Sequence, residues 1–235
     1  HQITGVENNT ITKLCNIISS TKKVYFRLGY GFTRQRNGSF NMHAVTSIVT
    51  TMGYWKFLGG GAFYSNGEIY NIDKELIERN SYKNKQIREL DQSRIGKILT
   101  GDKLALKEKV EVKGLLIQNT NPLVVAPETL LVREGFAKED LFICVHEQFM
   151  TETAKYADIL LPATSFVEHN DIYIAGGQQH LTYGPKLIKN VGETLSNHQL
   201  INKLGLRLGS NNKAFKISEQ NLIDQTLKLS GLGSL

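Results

Sequence analysis

Two apolar runs, Leu141-Phe-Ile-Cys-Val145 and Ile159-Leu-Leu161, each halt abruptly at polar sequence: His146-Glu147 after the first, Pro162-Ala-Thr164 after the second. Runs this short, and apolar without alternation, read as strands buried on both faces. Two further segments read the same way, "KKVYFRL" ending at Gly29-Tyr30-Gly31 and "GLLIQN" at 114–119 ending at "NTNP". Helical spacings lie between them. Ile11, Leu14, Cys15 and Ile18 mark one helix; Met42, Val45, Ile48, Val49 and Met52 mark another, capped by Ser39 and closed by Gly53. "PETLLVREGF" begins a third with proline at its first position, and "TETAKYA" a short fourth. Such alternation predicts an α/β fold: a three-layer, Rossmann-like open parallel sheet with helices on both faces and right-handed crossovers.

Residues 1–189 are expected to form this domain. Within it, 64–112 is a lysine-rich peripheral excursion with helical stretches near Lys74–Arg79 and Lys83–Leu90. Residues 190–235 form a helical extension, marked by Leu200, Ile201 and Leu204, then Ile217, Leu222, Ile223 and Leu227. Trp55 and the two cysteines, Cys15 and Cys144, read as core residues. No C-x-x-C pair occurs, so no iron–sulfur cluster or structural zinc is expected in this segment. Cysteine usage suits a reducing compartment, and a cytoplasmic location is expected.

The net charge of +6 and pI of 9.2 raise the question of an anionic partner. The lysines are scattered among acids, as from Lys83 to Lys109, which describes a solvated surface and not a nucleic-acid stripe. No apolar run approaches the ~20 residues that cross a bilayer, so no membrane insertion is expected. The first residue is His1, which suggests excision from a longer polypeptide.

In an open parallel sheet, ligands bind outside the carboxyl ends of the strands. The residues following each strand are Gly29, Gly31 and Arg34; Asn119 and Asn121; His146, Glu147, Thr151 and Thr153; and the fourth strand opens at Asp158. Gathered on one crest, they would suit a nucleotide: glycines admit a phosphate, arginine pairs with it, and a carboxylate accepts from ribose or a base edge. Each has a plainer reading. Gly29-Tyr-Gly31 is also a turn, Arg34 also surface charge, and Asp158 also a strand opener. Glu168, His169 and Asp171 lack metal-ligand spacing, and no metal is assigned.

"RLGYGFTRQRNGSFNMHAVTSIVTTMGYWKFLGGGAF" followed by "VHEQFMTETAKYADILLPATSFVEHNDIY" resembles the molybdopterin oxidoreductases of the dimethyl sulfoxide reductase type, which include formate dehydrogenases and biotin sulfoxide reductase-like proteins. The likeness covers nearly the whole chain. It implies the central α/β region of a longer molybdenum enzyme, binding one guanine dinucleotide half of a bis-molybdopterin guanine dinucleotide cofactor. Gly29, Gly31 and Arg34 are then the phosphate or pterin-side turn, and Asn119 and Asn121 the loop beside the nucleotide. His146, Glu147, Thr151 and Thr153 surround ribose and phosphate, and Asp158 faces the guanine. No residue here matches the family's molybdenum ligand, so no catalytic residue is assigned and the chain alone is expected to be inactive. Its expected partner is the remainder of the parent chain; its oligomeric state is open. Two alternatives stand: a non-catalytic scaffold or interaction subunit that kept the fold without the cofactor, and an independent nucleotide-binding protein.

Overall fold

The computed structural model describes residues 1–235. Its contacts divide the chain into two units, one made of 1–70 with 174–181, the other of 71–173 with 182–235.

The first unit holds α1 (Asn8–Ser20), β1 (Tyr25–Arg27), α2 (Tyr30–Thr33), α3 (Gly38–Thr51) and β2 (Gly61–Phe63). Strands β1 and β2 pair in parallel, Phe26 opposite Ala62, with α3 lying between them in sequence as the crossover. Gly53, at φ +69°, takes the left-handed position that ends α3, as expected. Ser39 does not cap it: the helix starts at Gly38, where an added Cβ would stand 2.1 Å from the carbonyl oxygen of Thr33. Only glycine lets the chain turn that tightly from α2 into α3.

The small core of this unit contains Leu28, Val49 and Tyr54. The Tyr54 hydroxyl donates to the carbonyl of Ile18 and ties down the end of α1. Trp55, expected in the core, is instead 54% exposed, its ring lying along Gly61. Cys15 is also exposed, because the face of α1 that carries it has no cover. The stretch 174–181 joins this unit through Asn66, whose backbone N–H donates to Gly176 at 3.0 Å, and Tyr70, whose hydroxyl donates to Gln179 at 2.7 Å.

The second unit holds α4 (Glu75–Glu78), α5 (Ile95–Leu99), β3 (Gly114–Gln118), α6 (Pro122–Val125), α7 (Thr129–Phe136), β4 (Phe142–Glu147) and β5 (Ile159–Pro162). The paired strands β6 (Asp171–Ile174) and β7 (Leu181–Gly184) follow, of which 171–173 and 182–184 belong to this unit, then α8 (Asn197–Arg207) and α9 (Glu219–Leu229). Strands β3, β4 and β5 form a parallel sheet in that order, with Leu116 opposite Cys144 and Cys144 opposite Ile159. One face packs against α5 and α7 around Ile117, Val132, Phe136, Ile143 and Val145. The helices meet closely because α7 presents Gly135, where a Cβ would stand 2.5 Å from Leu99 Cβ.

The fold is mixed α/β with parallel strands, as the sequence predicts, but its strands fall in three sheets, β1–β2, β3–β4–β5 and β6–β7, and not one. β1 pairs with β2, which the α3 crossover delivers to it; each strand takes a partner close along the chain, as connections favour. The 64–112 stretch is less peripheral than expected. Lys83–Leu90 forms no helix, yet Ile98, Leu99, Ala105 and Leu106 are buried. Proline opens a helix at Pro122, in α6, one short helix earlier than the sequence indicates. The β6–β7 pair carries no run that was read as strand. The two tail helices are where their spacing puts them. No helix is long and apolar enough to cross a membrane.

Candidate functional site

The carboxyl ends of β3, β4 and β5 form one rim, fixed by the register rows Gln118–His146–Leu161 and Glu147–Pro162. His146 is 2% exposed and both ring nitrogens are engaged. Nε2 lies 3.0 Å from the carbonyl oxygen of Leu195, which can only accept, so Nε2 carries the proton. Nδ1 then accepts from the Gln118 side-chain amide at 3.1 Å. Leu195 also exchanges backbone bonds with the end of β5: its N–H donates to Pro162 at 3.0 Å, and its carbonyl accepts from Thr164 at 3.1 Å. The Leu195 segment is thereby laced onto the rim.

That lacing sets the start of α8. Ser196 is its N-cap in a full capping box with Gln199, and the Ser196 hydroxyl also donates to Glu219 in the first turn of α9. A cavity of about 960 Å³ opens over the rim, lined wholly by residues of the second unit. Its lining includes the polar side chains Asn119, His146, Glu147, Gln148, Thr164 and Asn197 beside the rim, and the apolar Ile201, Phe215, Leu222 and Ile223. Three carboxylates line it, Glu147, Asp171 and Glu219, against the single guanidinium of Arg79. Burial, and then the Asp171 charge, push the Tyr173 phenol above its ordinary value. An acidic, amide-rich lining suits neutral N–H and hydroxyl groups better than phosphate.

Asn119 sits at the rim with φ +56°, a left-handed conformation that asparagine tolerates, and its Oδ1 lies 3.4 Å from Asn197 Nδ2. Glu147 lines the cavity while one carboxylate oxygen accepts from the N–H of Gln148. Asn121, Thr151 and Thr153 are occupied differently. Asn121 Oδ1 accepts from the Thr153 hydroxyl at 2.6 Å and from its N–H at 3.2 Å, and the Thr153 hydroxyl accepts from Leu123 N–H. Thr151 Oγ1 accepts from Ala154 N–H. These three fasten the loops behind the rim to each other.

Asp158 is not on the rim. It precedes β5, at the amino end of the sheet, and pairs with Ile143 twice: its N–H donates to the Ile143 carbonyl at 2.8 Å, and its Oδ2 accepts from the Ile143 N–H at 2.7 Å. A parallel strand that begins at Asp158 and ends at Pro162 must place the two at opposite edges. Gly29, Gly31 and Arg34 belong to the first unit. A Cβ at Gly29 or Gly31 would meet nothing within 4 Å, and the Arg34 guanidinium lies 5.4 Å from the Tyr30 ring centre, so this turn is open to an approaching group.

Glu168, weighed and set aside as a metal ligand, is a buried organiser. Its carboxylate accepts from Ser165 N–H, Val191 N–H and the Thr194 hydroxyl, joining the turn after β5 to the 187–194 loop. Those bonds, the Ser165 one foremost, hold its carboxyl below the ordinary range. The residues that sequence reasoning missed are Leu195 to His198. Their available signal was Ser196-x-x-Gln199, a capping box ahead of a helical pattern.

Residues 5–207 match the sequence family described as Molybdopterin oxidoreductase. This chain belongs to that family. Among its relatives, the probable oxidoreductase YoaE of Bacillus subtilis is 33% identical over 226 residues, 96% of this chain and 32% of that protein. The probable oxidoreductase YyaE of the same organism is 28% identical, over 85% of this chain and 29% of that protein. Dimethyl sulfoxide reductase DmsA of Escherichia coli is 27% identical, over 88% of this chain and 27% of that protein. The chain therefore spans a third or less of the length of these relatives. Molybdopterin oxidoreductase membership implies a molybdenum–pterin cofactor. The residues fit part of such a group: the cavity is of ligand size, and its amides, hydroxyls and Glu147 can hydrogen-bond polar N–H and hydroxyl groups.

Proposed function

We propose that the rim formed by Asn119, His146 and Glu147 grips the nucleoside end of one molybdopterin guanine dinucleotide, as part of a longer molybdenum-dependent oxidoreductase. The observation that carries this reading is that Asn119, His146 and Glu147, at the carboxyl ends of parallel strands, line the 960 Å³ cavity, at the place where α/β sheets bind ligands. In this reading Glu147, and not Asp158, is the carboxylate that accepts from the base N–H groups. His146 holds the rim without touching ligand. Asn121, Thr151 and Thr153 brace it from behind. Gly29, Gly31 and Arg34, in the other unit, serve a phosphate or pterin-side contact of their own. When bound, the molybdenum group supplies oxygen-atom or hydride-equivalent transfer.

The finer fold reading belongs here too. The 1–189 stretch contributes to Rossmann-like three-layer architecture that the remainder of the parent chain completes, with 190–235 leading toward that remainder. The chain alone is then inactive. Two free cysteines accord with action in the cytoplasm. The test is to express the full parent polypeptide and measure molybdenum and GMP released by acid. Stoichiometric release of both supports the reading, and absence of both ends it.

A second reading, a scaffold without cofactor, is favoured by one observation: His146, Asn121, Thr153 and Asp158 all find partners inside the chain and need no ligand. A stoichiometric protein partner with no bound nucleotide is its expected signature.

A further inference from the structure

The 74–87 stretch is tied down at its two ends and not between them. At one end the Asp73 N–H donates to the Ser230 hydroxyl at 2.8 Å, just past α9. At the other the Arg88 guanidinium donates to the carbonyls of Leu106, at 3.0 Å, and Val110. Between these anchors the polar contacts are local: Glu75 with Ser81, Asn80 with Glu78, Gln86 with Asn84, and Lys83 with Glu89. No backbone bond from 74–87 reaches another part of the molecule. Yet Leu76, Ile77, Arg79 and Tyr82 line the 960 Å³ cavity. Ile77 is 62% exposed and Tyr82 75%, so the side of this strap that meets the cavity still has apolar surface to bury. Arg79 has φ +51°, a left-handed backbone uncommon for its type. Its guanidinium lies 5.7 Å from the Tyr82 ring centre and has no carboxylate partner. Glu147 and Glu219 of the same cavity are engaged by the Gln148 N–H and the Ser196 hydroxyl.

We infer that residues 74–87 are a lid on this cavity, hinged at Asp73 and Arg88, and that closure on a bound ligand brings Arg79 to its phosphate. The inference rests on the reading of the cavity as a nucleotide site, and adds how that site shuts and where the phosphate charge is met. A fixed wall would be bonded to the structure it lines; this one is free to swing because its hydrogen bonds travel with it. The hinges stand on firm ground, since Leu106 is buried and Ser230 directly follows α9. Closing removes the apolar faces of Ile77 and Tyr82 from water, which favours the shut state. Arg79 is the one lysine or arginine in a lining that also holds three carboxylates. A phosphate therefore finds its charge partner there and nowhere else in the cavity, and the guanidinium offers a fork of uncommitted N–H donors. A left-handed arginine is a local cost that a contact made on closure would offset.

The test follows trypsin cleavage after Lys83 and Lys85, both exposed, in the full parent polypeptide. The parent is purified from a host that makes molybdopterin guanine dinucleotide and from one that does not. Cleavage is expected to be slower by at least about tenfold in the loaded protein, as for a segment cut only when it opens. Inorganic pyrophosphate added to the cofactor-free protein is expected to slow cleavage too, and guanosine is not, because only the first gives Arg79 an anion. Arg79→Asn keeps a residue that tolerates the left-handed backbone. It is expected to abolish the pyrophosphate effect and lower GMP content per folded parent, while the cofactor-free protein melts as before; Arg79→Lys should recover part of both. A parent that holds GMP and is cleaved at the cofactor-free rate overturns the lid and leaves the cofactor reading standing. Protection by pyrophosphate that survives Arg79→Asn, or equal protection by guanosine, overturns the part given to Arg79. A parent from the competent host that holds no GMP, yet is protected by pyrophosphate through Arg79, refutes the cofactor reading and leaves the lid.

Discussion

The Nε2–H of His146 donates to the backbone carbonyl of Leu195 across 49 positions of sequence, at 3.0 Å, from a side chain that is 2% exposed. This bond, with the Gln118 amide on Nδ1, makes the histidine a brace between sheet and rim. His146→Ala leaves the Gln118 amide and one acceptor position on Leu195 without their partner. The expected loss is about 1–3 kcal/mol in urea unfolding. Hydrogen exchange at Ser196 and Asn197 is expected to speed up more than at the centre of β3.

Glu147 and Asp158 are separable. Asp158→Ala removes the carboxylate that accepts from Ile143 N–H, at a cost of about 1 kcal/mol. Cofactor content per folded parent molecule is expected to hold. Glu147→Ala should barely change stability and should reduce the GMP released by acid. The opposite pattern would return the guanine-facing role to Asp158.

Glycine substitutions separate packing from ligand access. At Gly29 and Gly31 a methyl group meets nothing, and Gly29 has an extended backbone, so Ala at either position leaves melting unchanged or slightly raised. Molybdenum content of the parent is expected to fall. At Gly135 the methyl group strikes Leu99 Cβ; overpacking of about 1–3 kcal/mol outweighs the gain in helix propensity, and Gly135→Ala is expected to destabilise.

Glu168 makes stability depend on pH with a definite sign. Its folded carboxyl titrates below its ordinary value of 4.5, first because of the Ser165 N–H and then that of Val191. Its contribution is therefore present above the unfolded value and lost as pH falls through the folded one. Glu168→Gln is expected to lower the unfolding midpoint at pH 7, and the gap to wild type should narrow as the pH drops below 4.5.

What could be read from the residues alone was whatever depends on local pattern. The strands around Leu116, Cys144 and Leu160 announce themselves by apolar runs, and α8 and α9 by their spacing. Partner choice was not legible, because an apolar strand carries no mark of which neighbour it will take; hence β1 was expected in a sheet that excludes it. Asp158 was misplaced for a related reason. Its type suits a ligand, but the direction of its strand puts it at the far edge. The Leu195 segment escaped notice because its contribution is a backbone carbonyl, which no residue type reveals.

The 174–181 stretch has a practical consequence. The polypeptide passes between its two units at 70/71, again at 173/174 and again at 181/182. No single scission releases either half intact. A product ending at Tyr70 would lack Gly176, Gln178 and Gln179, whose carbonyls receive the Asn66 and Tyr70 donors. Anyone dividing this gene for expression should carry that stretch along with the amino-terminal portion, through a loop deletion or a permuted order, or expect both products to fray at the same seam.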